Sequence, residues 1–112
     1  MDWKNYENLS MLSDFYEFTM MNGYLENNME DEYAYFDLYF RRIPDNGGFV
    51  IVAGLEEVVK YIQNLKFDEK DIEYFKSKNM FSEKFLDYLR NFKFECDVWA
   101  MPEGSVAFPN EP

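Results

Sequence analysis

The spacing of apolar side chains changes several times along this chain, and those changes of period limit its fold more than any other feature. From Leu12 onward, Leu12, Phe15, Phe18, Met21 and Leu25 recur at the spacing of a helix face. Asp14 followed by Glu17 reads as a capping box with Asp in the first position, and Gly23 as a left-handed helix end. The acidic, Asn-rich stretch from Glu26 to Glu32 reads as a loop. Between Tyr33 and Ile43 the pattern becomes alternation, with Ala34, Phe36, Leu38 and Phe40 on one face and Tyr35, Asp37, Tyr39 and Arg41 on the other. That is the pattern of a strand with one core face. Pro44-Asp45-Asn46-Gly47-Gly48 is a turn signal, and the apolar run Phe49 to Ala53 predicts a second strand, paired antiparallel with the first.

The helical period then returns. Gly54 opens a stripe of Leu55, Val58, Val59, Ile62 and Leu65, with Glu56, Glu57, Lys60 and Gln63 facing away. Asp68 and Ser82 are suited to cap two short helices whose inward side chains are Ile72 and Phe75, then Phe85, Leu86 and Leu89. From Phe94 to Phe108 alternation resumes around Pro102-Glu103-Gly104, which predicts another hairpin. No internal repeat or low-complexity segment is present. The expected class is α+β, with helices packed against a mostly antiparallel sheet in a single domain.

Composition bounds the chemistry. The 112 residues include twelve Phe, nine Tyr and two Trp, too many large rings to bury easily in one small globule, so part of them is expected to cover another surface. A net charge of −11 repels a phosphate backbone and an anionic membrane, which excludes nucleic acid as a natural partner. No apolar run approaches the roughly 20 residues of a spanning helix, and Met1-Asp2-Trp3-Lys4 lacks the basic start of a signal peptide. A soluble, cytoplasmic protein is expected. The single cysteine, Cys96, flanked by Phe94 and Val98, reads as a core strand position. Histidine is absent, so a Ser-His or Cys-His pair cannot be built from this chain. No Gly-rich phosphate loop, paired-carboxylate spacing or metal cluster is evident.

Four ordered blocks carry a resemblance. Leu12-Ser13-Asp14-Phe15-Tyr16-Glu17-Phe18-Thr19-Met20 with Gly23-Tyr24 resembles the opening of nicotinate phosphoribosyltransferases. So do Phe36-Asp37-Leu38-Tyr39-Phe40-Arg41, then Ala53-Gly54-Leu55-Glu56, then the run from Phe81 through Leu89 to Pro102-Glu103-Gly104 and Phe108-Pro109-Asn110-Glu111-Pro112. The resemblance implies the amino-terminal domain of a type II phosphoribosyltransferase, residues 1–112 forming one piece whose catalytic α/β barrel lies outside it. The ending at Pro112, with no polar tapering, carries the same expectation of a longer protein.

In such enzymes a phosphoribosyl group passes from phosphoribosyl pyrophosphate to the ring nitrogen of nicotinate. Magnesium and ATP take part, and a homo-oligomer is expected. The phosphorylated histidine and the pyrophosphate-binding groups belong to the barrel, so the resemblance assigns no catalytic residue here. It does imply that Tyr16 stacks on the pyridine ring bound by a neighbouring subunit, and that Asp14 lies close to that ring. Without the resemblance, Tyr16 is one surface aromatic among many and Asp14 is an N-cap. Thr19 reads as a structural hydroxyl bonded to the preceding turn. Arg41 and Arg42 have the fork geometry for phosphate or pyrophosphate, but a salt bridge across the sheet also accounts for them. Glu103-Gly104 reads as a turn. The competing functions are a stand-alone acidic module that binds a protein through its aromatics, and a relative acting on nicotinamide or quinolinate.

Overall fold

Phe75, Phe85, Ile72, Leu86 and Leu89 are withdrawn from solvent, and the elements that carry them define the larger of two compact units. The computed structural model describes residues 8–112; the signal-peptide reading of Met1 to Lys4 lies outside the described residues. The first unit combines residues 8–32 with 61–95, and the second combines 33–60 with 96–112.

In the first unit, α1 (Phe15–Glu26), α3 (Glu69–Ser77) and α4 (Glu83–Arg90) bury Phe18 and Leu25, Ile72 and Phe75, and Phe85, Leu86 and Leu89 against one another. Rings dominate the contact. Phe75 meets Phe18 at 4.7 Å and Phe81 at 5.0 Å between centroids, and Phe81 stacks on Phe85 at 5.3 Å. Pairs of this kind each contribute on the order of 0.5–1.5 kcal/mol beyond their burial. Local chemistry sets the helix starts: Asp68 accepts from the Lys70 and Asp71 amides while Asp71 accepts from the Asp68 amide, a complete capping box. Ser82 caps α4 through the Phe85 amide and ties it to α1, its own amide donating to Asn22 and its hydroxyl to Glu26. The inward residues expected for these two helices are therefore the observed ones.

The second unit contains the 3-10 turn Pro44–Asn46, β1 (Val50–Ile51) and β2 (Val106–Ala107), with most of α2 (Leu55–Gln63). β1 and β2 are antiparallel, Val50 facing Ala107 and Ile51 facing Val106. Two further bonds extend the pairing, Val52 N–H to Ser105 O at 2.9 Å and Gly104 N–H to Val52 O at 2.8 Å. At the following corner Gly54 has φ +108, a conformation that favours glycine, and both Glu103 carboxylate oxygens accept α2's first amides, Gly54 N at 2.8 Å and Leu55 N at 2.9 Å. Two of the sequence blocks, 53–56 and 102–104, thus meet through one side chain.

The α+β class stands, with four α-helices and one two-stranded sheet among the described residues. A mostly antiparallel sheet carrying the helices is not what forms: the core of the first unit is helix on helix. Residues 33–43 form no strand, and β1 pairs with β2 instead of with them. The turn itself is of the tight hairpin kind, with Asp45 and Asn46 at positive φ beneath a Gly47 N–H to Pro44 O bond at 3.2 Å, but no strand pairing continues from it. Both sides of the alternating stretch are consequently exposed, Tyr35 at 97% and Phe36 at 92%. The hairpin expected over 94–108 reduces to β2 and the Pro102–Ser105 turn, so Cys96 is exposed and not a core strand residue. α1 runs past Gly23 to Glu26, with Asn28 taking the left-handed conformation beyond its end at φ 56. Leu12 is exposed, and α2 has no fully buried residue despite its apolar stripe.

Candidate functional site

The start of α1 brings two of the four candidate residues together. Asp14 is its N-cap, with extended backbone (φ −70, ψ 139), yet its side chain makes no capping bond. The expected capping box does not form: the Asp14 side chain accepts no helix amide, and the Glu17 carboxylate accepts from the Ser13 hydroxyl. Asp14 therefore keeps its carboxylate exposed beside the positive end of a helix dipole. Tyr16 stands in the first turn at 59% exposure, its ring absent from the aromatic core. The Thr19 hydroxyl donates to Tyr16 O at 2.9 Å, the structural role expected of it.

A wide depression of about 420 Å³ lies at this helix start, lined by Leu12, Ser13, Asp14 and Glu17. It is open to solvent, and Tyr16 is not among its lining residues. Burial first, and then the Glu17 carboxylate, push the Tyr61 phenol above its ordinary range.

Arg41 and Arg42 belong to the second unit, at a bend after the extended stretch, and both are exposed. Since no strand forms there, the cross-sheet salt bridge has no sheet to cross. Among the described residues neither arginine is in an ion pair; the pairs present join Lys60, Lys76, Lys84 and Arg90 to carboxylates. Glu103 is the turn residue expected of it, and it also caps α2; its contact with residues nearly fifty positions away has no local sequence signal.

These features define the class: an acidic α+β domain that offers an aromatic ring and a carboxylate at an open helix start. Among the described residues no group of three or more His, Cys, Asp or Glu side chains comes together to hold a metal ion. No helix among them is long and apolar enough to cross a membrane. Residues 11–112 match the family described as nicotinate phosphoribosyltransferase (NAPRTase) N-terminal domain, and the chain belongs to that family. It is 40% identical over 103 residues to the nicotinate phosphoribosyltransferase pncB2 of Mycobacterium tuberculosis, covering 92% of this chain and 22% of that protein. It is 41% identical over 104 residues to nicotinate phosphoribosyltransferase 2 of Arabidopsis thaliana, covering 91% and 19%. With the nicotinate phosphoribosyltransferase of Bacillus subtilis it shares 35% identity over 106 residues, covering 95% and 22%. The chain spans about a fifth of the length of these relatives. Nothing in the comparisons favours a stand-alone interaction module.

Proposed function

We propose that this domain works as part of a cytoplasmic, homo-oligomeric nicotinate phosphoribosyltransferase, which joins nicotinate to phosphoribosyl pyrophosphate and releases nicotinate mononucleotide and pyrophosphate for NAD biosynthesis. The observation that carries the reading is the family match over residues 11–112, which includes Asp14, Tyr16 and the Arg41-Arg42 pair. The domain's share is positioning. Tyr16 stacks on the pyridine ring and keeps water from it, holding the nitrogen in line with the anomeric carbon. As the new bond forms, that nitrogen takes positive charge, which the exposed Asp14 carboxylate favours electrostatically. Arg41 and Arg42 offer guanidinium forks to a phosphate or pyrophosphate group.

Magnesium and ATP fit the described residues poorly: no carboxylate set comes together for the one, and no Gly-rich phosphate cradle is available for the other. No step involving them is therefore assigned to this chain. The test is a graft. Residues 11–112 replace the matching segment of the Bacillus subtilis relative, and the purified enzyme is assayed with nicotinate, phosphoribosyl pyrophosphate and magnesium, with and without ATP. Nicotinate mononucleotide formation is expected; a folded graft without activity contradicts the proposal.

A further inference from the structure

The stretch ending in Arg41-Arg42 has one backbone tether. Among the described residues, the only backbone hydrogen bond made between residues 33 and 42 is from Asn110 N–H to Phe40 O, at 2.9 Å. Phe40 directly precedes the two arginines, and it is half-buried where its neighbours on both sides are exposed. The donor sits in a turn that closes on itself. The Phe108 amide donates to Glu111 Oε2 at 2.8 Å, and the Glu111 amide donates to Phe108 O at 3.3 Å. Asn110 takes φ +66, a left-handed conformation that Asn tolerates better than most side chains. Pro109 restricts the backbone just before it, and Pro109 too is half-buried.

From this arrangement we infer that the Phe108–Glu111 turn positions Arg41 and Arg42 for an anionic phosphate or pyrophosphate group: Glu111 closes the turn, and the Asn110 amide pins Phe40, the residue immediately before the arginines. A bidentate guanidinium contact needs its backbone held, because long side chains on a wandering segment lose the orientation that makes the fork effective. In a chain of net charge −11, two adjacent cations without an ion-pair partner among the described residues are suited to an external anion. Glu111 itself touches no ligand in this account. It acts through the turn. The inference rests on the proposed anion-binding role of the arginines and adds the element that orients them.

The experiment has two arms. In the first, amide exchange and backbone nuclear Overhauser effects are measured by NMR on the 112-residue chain, as found and as Glu111→Ala, Glu111→Gln and Asn110→Gly. Glu111→Ala should accelerate Asn110 exchange several-fold and loosen Arg41 and Arg42, while the Val50–Ile51 and Val106–Ala107 amides stay unchanged as an internal control of folding. Asn110→Gly, which keeps the amide and accepts the left-handed conformation, should leave the arginines ordered. In the second arm the grafted enzyme carries the same variants. KM for phosphoribosyl pyrophosphate should rise several-fold in Glu111→Ala, with KM for nicotinate and kcat unchanged, and Arg41→Ala should move the same constant. If Arg41→Ala and Arg42→Ala both leave that constant alone, the anion-binding reading and this inference fall together. If the arginine variants raise it while Glu111→Ala changes neither it nor the order of residues 41–42, the inference alone is overturned.

Discussion

Replacing Glu103 should loosen α2 more than an exposed carboxylate ordinarily would. Its two oxygens accept the first amides of the helix, at 2.8 and 2.9 Å, and do the work of an N-cap from a distant point in the sequence. Losing a capping side chain costs about 0.5–2 kcal/mol, and the charge at an exposed helix start adds about 0.3–1 kcal/mol. α2 has no fully buried residue to offset that loss. Glu103→Ala should therefore cost about 1–2 kcal/mol, and Glu103→Gln about half as much, since the amide retains one acceptor oxygen. With a urea slope of about 2 kcal/mol per molar, the Ala variant's unfolding midpoint should fall by about 0.5–1 M. Charge alone predicts the opposite sign: Glu56 and Glu57 occupy the same helix turn and the chain is already at −11, so removing a carboxylate relieves repulsion. Urea unfolding followed by far-ultraviolet circular dichroism, with exchange at the Leu55 amide, separates the two. An unchanged or higher midpoint in Glu103→Ala would refute the capping argument.

Three further outcomes are expected. The 112-residue chain alone should give no nicotinate mononucleotide with or without ATP, because it has no histidine and no recognisable pyrophosphate-binding loop; turnover above blank would sink this. In the grafted enzyme, Tyr16→Ala removes a stacked ring worth on the order of 0.5–1.5 kcal/mol beyond burial, so KM for nicotinate should rise several-fold, with Tyr16→Phe milder; equal constants in all three would count against stacking. The isolated chain should self-associate through the exposed Tyr33, Tyr35, Phe36, Leu38 and Trp99, more strongly as salt screens its charge, and a clean monomer in sedimentation at every micromolar concentration and salt tested would contradict that.

The helices were legible wherever their determinants are local. Asp68 and Ser82 cap as their residue types and positions suggest, and Ile72, Phe75, Phe85, Leu86 and Leu89 are buried at the helical spacing that identified them. Strand pairing was not legible, because alternation reports two faces and says nothing of the partner. β1 finds its partner more than fifty residues away, which leaves residues 33–43 without one among the described residues and Cys96 in solvent. Side-chain-to-backbone contacts across the sequence, such as Glu103 on α2, escape any window of local pattern. At α1 the Asp14–Glu17 spacing of a capping box is present without the box, Glu17 accepting from Ser13 and the Asp14 side chain capping nothing. The candidate site divides in the same way. Periodicity singles out neither Tyr16 nor Asp14, and resemblance alone nominated them. Their exposure at one helix start is compatible with that nomination, while the turn that holds Phe40 came only from the structure.

The central claim, that Tyr16 of one subunit completes a nicotinate site built largely by another, is tested most directly by mixing subunits. Grafted subunits carrying Tyr16→Ala are exchanged with grafted subunits inactivated in the barrel, and nicotinate mononucleotide formation is measured at a nicotinate concentration well below KM, where the Tyr16→Ala parent works at a several-fold reduced rate and the barrel-inactivated parent not at all. In a mixed dimer both defects fall in one site and the other site is intact, so activity should recover toward that of one working site per dimer. Demonstrated exchange with no recovery would contradict the account.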